Sequence, residues 1–410
     1  MRIATPIRTL FALFVTALLA GTSVLVATPP AEAATESPTE CPNRTLPPPP
    51  VDKSEEPPPG EQSPTPLPVP ETPAGGERMA ECGIVRPADS PEPPEDITAA
   101  AWLVQDLDTG YVLAAKNPHG RYRPASLIKT LLALVVLEEL PPDHVVVATK
   151  EDANQECTCV GLVEGGEYTV DQLIHALLMH SGNDVAHALA TALGGVDAAV
   201  EKMNALAEWL GAADTRAATP SGLDGPGMMT SAYDMSLIFR YAMQQPAYAE
   251  AVGTKHIDFP GGPGEPDFPV YNDNPLWASY EGFLGGKTGF TDDARHTYVG
   301  AAERDGRRIA VVLLQAEQQP IRVAEQAQRL LDYGFGLAAV GKEPVGTVTT
   351  APPFSSVDED GEGTDVIDVA TTSPSDPFGT TGWIVTLIVT VLVLTGLLVG
   401  HRKGLLRRPD

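Results

Sequence analysis

Cysteine is scarce, with four in 410 residues. That is too few for a disulfide scaffold, and the spacings fit no zinc site. Bases are short as well: 27 against 54 acids, for a formal net charge of −27. A surface of that sign has no general attraction for DNA, RNA or anionic lipid, so a nucleic-acid partner is excluded. Histidine is also sparse. His175, His180 and His187 lie near one another in sequence, but none is four residues from another. They form no helical pair of metal ligands and read as surface or core residues. What is abundant is proline, at 40 residues, unevenly placed. Forty-three per cent hydrophobic residues suffice for a core. At roughly 150 residues per domain, the length allows two or three domains.

The two ends carry targeting signals. Arg2 and Arg8 precede an apolar run from Leu10 to Val26, and Ala31-Glu32-Ala33 follows. This pattern predicts a secretory signal peptide, 1–33, cut after Ala33. A second apolar run, Gly382 to Gly400, carries no charge. About 19 residues at 1.5 Å each span roughly 28 Å, one hydrocarbon thickness. Trp383 stands at its outer edge, and Arg402, Lys403, Arg407 and Arg408 follow it. The run is expected to be a transmembrane helix, 382–400, with residues 401–410 as a basic cytoplasmic tail. The expected location is the cell membrane, single-pass, with everything from Ala34 to Thr381 outside the cytoplasm.

Residues 34–98 are acidic and rich in proline, with runs at Pro47–Pro50 and Pro57–Pro59. Such a stretch reads as an extended linker without a core. Residues 341–381, which include Asp358-Glu359-Asp360, read as a second, disordered acidic linker. The folded domain is then 99–340. Ala101–Leu107 and Tyr111–Ala115 alternate as strands around an Asp108-Thr109-Gly110 turn. Leu127 to Leu137 is largely apolar and predicts a buried helix. Helical patterns follow at Val170–Met179, Asp184–Leu193, Val196–Leu210 and Ser231–Met243. Strand patterns return at Gly285–Phe290, His296–Ala302 and Arg308–Gln315, and a closing helix runs from Ile321 to Tyr333. Strands at both ends with helices between predict an α/β (α+β) fold. One antiparallel sheet has its first and last strands adjacent and is flanked by helices.

Three short motifs carry the chemistry. Ser126-Leu127-Ile128-Lys129 opens the buried helix, Ser181-Gly182-Asn183 breaks two helices, and Lys287-Thr288-Gly289 lies on a strand. Positions i and i+3 share a helix face, so the Lys129 amine can reach the Ser126 hydroxyl. A serine is a weak nucleophile until a base accepts its proton, and a lysine serves only if its pKa is lowered. Burial in an apolar helix and a second cation, Lys287, both act that way. Ser181 can relay a proton, and Asn183 can hold Lys129 and a substrate amide. Gly289 leaves room for an extended peptide along its strand. Lys287 and Thr288 offer a cation and a hydroxyl to a carboxylate. Each motif alone is commonplace; the three in order, on the right elements of an exported chain, form a specific signature.

With these motifs the chain resembles the D-alanyl-D-alanine carboxypeptidases, the low-molecular-mass penicillin-binding proteins of serine peptidase type. Arg123-Pro124-Ala125-Ser126, Thr219–Asp224, Thr230–Asp234 and Lys287–Thr291 extend the likeness across most of 99–340. The resemblance implies a β-lactamase/penicillin-binding-protein-like fold with a helical lobe. It implies hydrolysis of the terminal D-Ala-D-Ala bond of peptidoglycan stem peptides. Ser126 would be the nucleophile and Lys129 the base, with Ser181 and Asn183 assisting. Lys287 and Thr288 would hold the substrate carboxylate, and the Ser126 and Phe290 amides the oxyanion. β-Lactams would be covalent inhibitors, and no metal or cofactor is called for. Many relatives carry a β-rich domain before an amphipathic anchor. Here an acidic spacer and a full transmembrane run stand instead.

A β-lactamase shares the fold but needs a carboxylate for its deacylating water. No Glu-x-x-Leu-Asn stretch lies between Asn183 and Lys287, and Gly182 replaces an acid. A D,D-endopeptidase, or a non-catalytic wall-binding protein, are the other readings. In an oxidising compartment a Cys41–Cys82 disulfide is favoured over free thiols. Cys157 and Cys159 would then pair with each other or stay free.

Overall fold

Alternation builds the sheet. In Leu103-Val104 and Val311-Val312, neighbouring side chains point to opposite faces, so each strand feeds two cores. The structure, a computed structural model, describes residues 41–349. The expected signal peptide at 1–33, transmembrane helix at 382–400 and cytoplasmic tail at 401–410, and residues 350–381 of the expected acidic spacer, lie outside the described residues. Among the described residues no helix is long and apolar enough to cross a membrane.

In chain order, β1 (Ile84–Val85), β2 (Ala101–Asp106) and β3 (Tyr111–Lys116) come first. A 3-10 turn, Ala125–Ile128, runs into α1 (Lys129–Glu139). A two-stranded ribbon, β4 (Val145–Val147) with β5 (Glu167–Thr169), brackets α2 (Lys150–Ala153). Next come α3 (Val170–His180), α4 (Asn183–Ala192), α5 (Val196–Leu210), α6 (Ala232–Ala242) and α7 (Pro246–Gly253). A second ribbon, β6 (His256–Phe259) with β7 (Phe268–Tyr271), precedes the short α8 (Leu276–Ser279). The chain then lays down β8 (Phe283–Thr291), β9 (Arg295–Arg304) and β10 (Arg307–Ala316). α9 (Val323–Ala339) and β11 (Gly346–Thr347) close it.

Among the described residues β1, β2, β3 and β8–β11 form one seven-stranded sheet, ordered β1-β3-β2-β10-β9-β8, with β11 also on β3. Every pairing is antiparallel, and the early strand β2 lies beside the late strand β10. Asp305 and Gly306, both at positive φ, make the tight β9–β10 turn. α9 covers one face through Ala327, Leu330 and Leu331. The helical lobe covers the other, with α1 buried at its centre from Lys129 to Val136. α3 starts on a capping box between Thr169 and Gln172, and Ser231 caps α6 through the Asp234 amide.

The expected linker at 34–98 requires correction over its described part. Residues 41–98 are wrapped onto the domain. A Cys41–Cys82 disulfide closes the wrap, and β1 joins the sheet edge. The proline-rich backbone has few partners within itself, and buried arginines supply them. Arg121 donates to the carbonyls of Thr45, Leu67 and Pro68 at 2.9, 2.7 and 2.9 Å, and Arg123 to Pro48 at 2.8 Å. Arg44 enters the interior and meets Asp214 at 2.6 Å, beside Arg121 at 3.0 Å and His119 at 2.8 Å. Burial alone would raise the Asp214 carboxyl; the His119 hydrogen bond and the charges of His119, Arg44 and Arg121 outweigh it and hold it below the usual range. Asp234, buried beside Asp214, is pushed up. At the other end, the spacer expected from 341 is corrected over its first residues, because Gly346 and Thr347 pair with Val112 and Tyr111.

Candidate active site

The 3-10 turn holds Ser126 where β8, β9 and the 219–224 turn converge. Ala125, just before it, has φ 47°, a left-handed conformation rare for a residue with a Cβ. Two neighbours hold it there. The Thr297 hydroxyl on β9 donates to the Pro124 carbonyl at 2.9 Å. Gly222, at φ 86°, lies so close that a Cβ would fall 2.0 Å from the Ala125 carbonyl oxygen. Ser126 is thus not yet in the α-helix, which begins at Lys129.

Lys129 is fully buried. Its Nζ stands 2.8 Å from Ser126 Oγ, 2.8 Å from Asn183 Oδ1 and 2.5 Å from the Ser221 carbonyl oxygen. Burial pushes this amine well below the usual lysine range, and the nearby charge of Lys287 pushes it further; Asp184 and Asp273 partly oppose. Lys287 is also buried, and burial brings it down to about 8, against the pull of Asp273. Its Nζ donates to the Thr288 carbonyl at 2.8 Å.

Ser181 ends α3 at φ 66°, where glycine is the usual residue, and this turn swings the chain back so that α4 starts at Asn183. Asn183 Nδ2 donates to the Glu156 carbonyl at 2.7 Å. That bond settles which amide atom faces Lys129: the oxygen. A cleft of about 610 Å³ is lined by Ser126, Ser181, Thr288, Gly289 and Phe290, and by Thr158. All the candidate residues of the three motifs therefore meet in one place.

Gly289 has a packing reason besides the expected one. A Cβ there would lie 2.4 Å from Thr297 Oγ1 and 2.9 Å from the Ser126 amide nitrogen. The missing side chain lets β8 approach the turn that carries Ser126. Phe290 is half-exposed on the cleft and stacks on His296, centroids 4.5 Å apart. Sequence reasoning missed the Ser221 carbonyl. It also missed Thr297, Asp273, whose carboxylate accepts from the Thr288 hydroxyl at 3.4 Å, and the loop carrying Glu156 and Thr158. Of these only Ser221 sat in a stretch singled out beforehand, Thr219–Asp224, and there only as part of the family likeness. Cys157 and Cys159 are bonded to each other.

The profile of the S11 peptidases, D-alanyl-D-alanine carboxypeptidase, matches residues 88–318. The chain belongs to this family. It is 46% identical over 264 residues to the D-alanyl-D-alanine carboxypeptidase DacB2 of Mycobacterium tuberculosis, covering 63% of this chain and 90% of that one. To DacD of Escherichia coli it is 34% identical, over 60% of this chain and 65% of that one. Among solved structures, a D-alanyl-D-alanine carboxypeptidase of M. tuberculosis matches with TM-score 0.60 and 42% identity. It covers 65% of this chain and 100% of its own. The DD-transpeptidase of Streptomyces K15 matches with TM-score 0.57 and 28% identity, over 60% and 100%. This enzyme is a serine-type peptidase, a D-alanyl-D-alanine carboxypeptidase of penicillin-binding-protein fold.

Proposed function

We propose that the enzyme removes the terminal D-alanine from peptidoglycan stem peptides through an acyl-enzyme on Ser126. It would act outside the cytoplasm from a C-terminal membrane anchor, after removal of the signal peptide. The observation that carries the mechanism is the donor count at Lys129. Asn183 Oδ1 and the Ser221 carbonyl oxygen can only accept. A neutral amine has two N–H bonds and one lone pair. Those two acceptors take both N–H bonds, and the lone pair is left for the Ser126 hydroxyl at 2.8 Å. Burial and the Lys287 charge favour the neutral form over the ammonium.

Ser126 Oγ then attacks the carbonyl carbon of the penultimate D-alanine while its proton passes to Lys129 Nζ. The Ser126 and Phe290 amides receive the oxyanion; a donor of this kind contributes about 3 kcal/mol. Lys287, largely cationic at neutral pH with its pKa near 8, binds the substrate carboxylate with Thr288. Ser181 passes a proton to the leaving nitrogen, D-alanine departs, and water frees Ser126. β-Lactams would acylate the same serine.

The test uses the full chain in detergent with a diacyl-D-Ala-D-Ala peptide and, separately, labelled penicillin. Release of D-alanine and a stable adduct on Ser126 are expected, and Ser126→Ala should lose both while keeping its melting temperature. Turnover surviving in Ser126→Ala would overturn the mechanism. Rapid penicillin turnover without D-alanine release would identify a β-lactamase instead.

A further inference from the structure

Residues 155–163 belong to none of the three motifs, yet they hold the residue that orients Lys129. The Glu156 carbonyl accepts from Asn183 Nδ2 and the Thr158 carbonyl from the Asn183 backbone N–H, both at 2.7 Å. Further along, the amides of Val160, Gly161 and Leu162 donate to the buried Asp184 carboxylate at 3.1, 2.7 and 3.0 Å. Five hydrogen bonds thus tie one loop to the first two residues of α4. Cys157 and Cys159, bridged to each other, each directly follow one of the two residues whose carbonyls grip Asn183.

The bridge sets the length of that grip. Its Cα atoms are 4.7 Å apart. An unbridged extended segment would place residues i and i+2 about 6.6 Å apart. The bridge therefore holds the two carbonyls close enough to meet one residue, Glu156 at the Asn183 side chain and Thr158 at its backbone N–H. Cys157 is exposed and Cys159 half-buried, so a soluble thiol can reach the bond. Thr158, between them, lines the same cleft as Ser126.

We propose that the Cys157–Cys159 disulfide is a redox-sensitive positioning element for Asn183, and that its reduction by a dithiol slows acylation of Ser126. The inference rests on the acyl-enzyme reading above. A reductant thiolate attacks the exposed Cys157 sulfur; the S–S bond breaks and Cys159 leaves as a thiolate that takes a proton. The second reductant thiolate then attacks its own sulfur in the mixed disulfide and releases Cys157 as a thiol. Two electrons and two protons pass to the protein, and the dithiol becomes a cyclic disulfide. A small disulfide oxidant reverses the sequence. In the reduced loop the two carbonyls no longer converge, Asn183 Oδ1 drifts from Lys129 Nζ, and the lone pair loses its alignment on Ser126.

The experiment follows labelling by fluorescent penicillin on the full chain in detergent, oxidised and after dithiothreitol, with thiols counted by mass. Loss of one or two aligned hydrogen bonds should slow labelling roughly tenfold. Final labelling should stay at one per chain. A merely structural role would instead lower the fraction of chains that ever label. Cys157→Ser/Cys159→Ser should label slowly with or without reductant. A reductant effect persisting in that variant would assign it to Cys41–Cys82 and overturn the proposal. So would a variant, or a reduced wild type, that labels at the oxidised rate. If the double variant fails to fold, the reduced and reoxidised wild type decides alone. Oxidised wild type that never labels Ser126 overturns the acyl-enzyme reading and this inference with it. Labelling at a rate indifferent to the bridge overturns this inference only.

Discussion

Replacing Arg44 by alanine tests whether the proline-rich segment is part of the folded enzyme. The guanidinium is almost fully buried and donates to Asp214 Oδ1 at 2.6 Å and to the His119 carbonyl at 3.2 Å. Asp214 keeps Arg121 and His119 after the change, so no bare charge is left behind. What is lost is one charge-assisted hydrogen bond, one neutral bond and the packing of the side chain. Together these come to about 2–4 kcal/mol, below the full cost of stripping a buried ion of all its partners. At roughly 2–4 °C per kcal/mol for a domain of this size, Tm should fall by about 4–16 °C. Calorimetry or circular dichroism reads this directly. Asp214→Asn, alone and combined with Arg44→Ala, gives the coupling, expected at about 1–3 kcal/mol. Lys53→Ala is the control in the same segment, since its pair with Glu56 is exposed and 3.8 Å long. It should shift stability by less than about 0.5 kcal/mol. An Arg44→Ala protein that melts within about 1 °C of wild type would refute the reasoning, because a solvated tether has nothing to lose there.

Two further outcomes are expected. Gly222→Ala should abolish acylation, because its Cβ would fall 2.0 Å from the Ala125 carbonyl and 2.9 Å from the Ser126 amide, both backbone; penicillin labelling near the wild-type rate would show that the turn can yield. Lys287 should make the protein more stable as pH rises from about 8, its folded value, towards 10.5, its ordinary one. Below that window both states carry the proton and burial costs the folded state in full. Within it the folded state sheds the proton while the unfolded chain keeps it. The full effect is about 3 kcal/mol, and Lys287→Met should lose this pH-dependent gain in melting scans between pH 7 and 10.

The elements were largely legible because helix and strand periodicity is local. α5 spans Val196–Leu210 as its pattern predicts, and β2 and β3 differ from expectation by one residue each. The ribbons β4–β5 and β6–β7 were not legible, since three or four residues hold too little alternation to register. The proline-rich arm misled for a related reason. Its composition shows that it cannot pair with itself, and its partners are arginines far along the chain. Arg44 and Asp214 are 170 residues apart.

By itself the sequence determined which chemistry the chain carries. A serine three residues before a lysine that opens a buried helix, with Ser-x-Asn and Lys-Thr-Gly to follow, is the residue pattern from which the proposed nucleophile, base and anion site are read. Only the tertiary structure decided how that lysine is used. Its amine is oriented by a backbone carbonyl 92 residues away and by Asn183, 54 residues away. Asn183 is in turn gripped by a disulfide-bridged loop. Every residue has a carbonyl, so a carbonyl that orients a base leaves no mark in the sequence. Its role exists once folding has brought it within 3 Å of the amine.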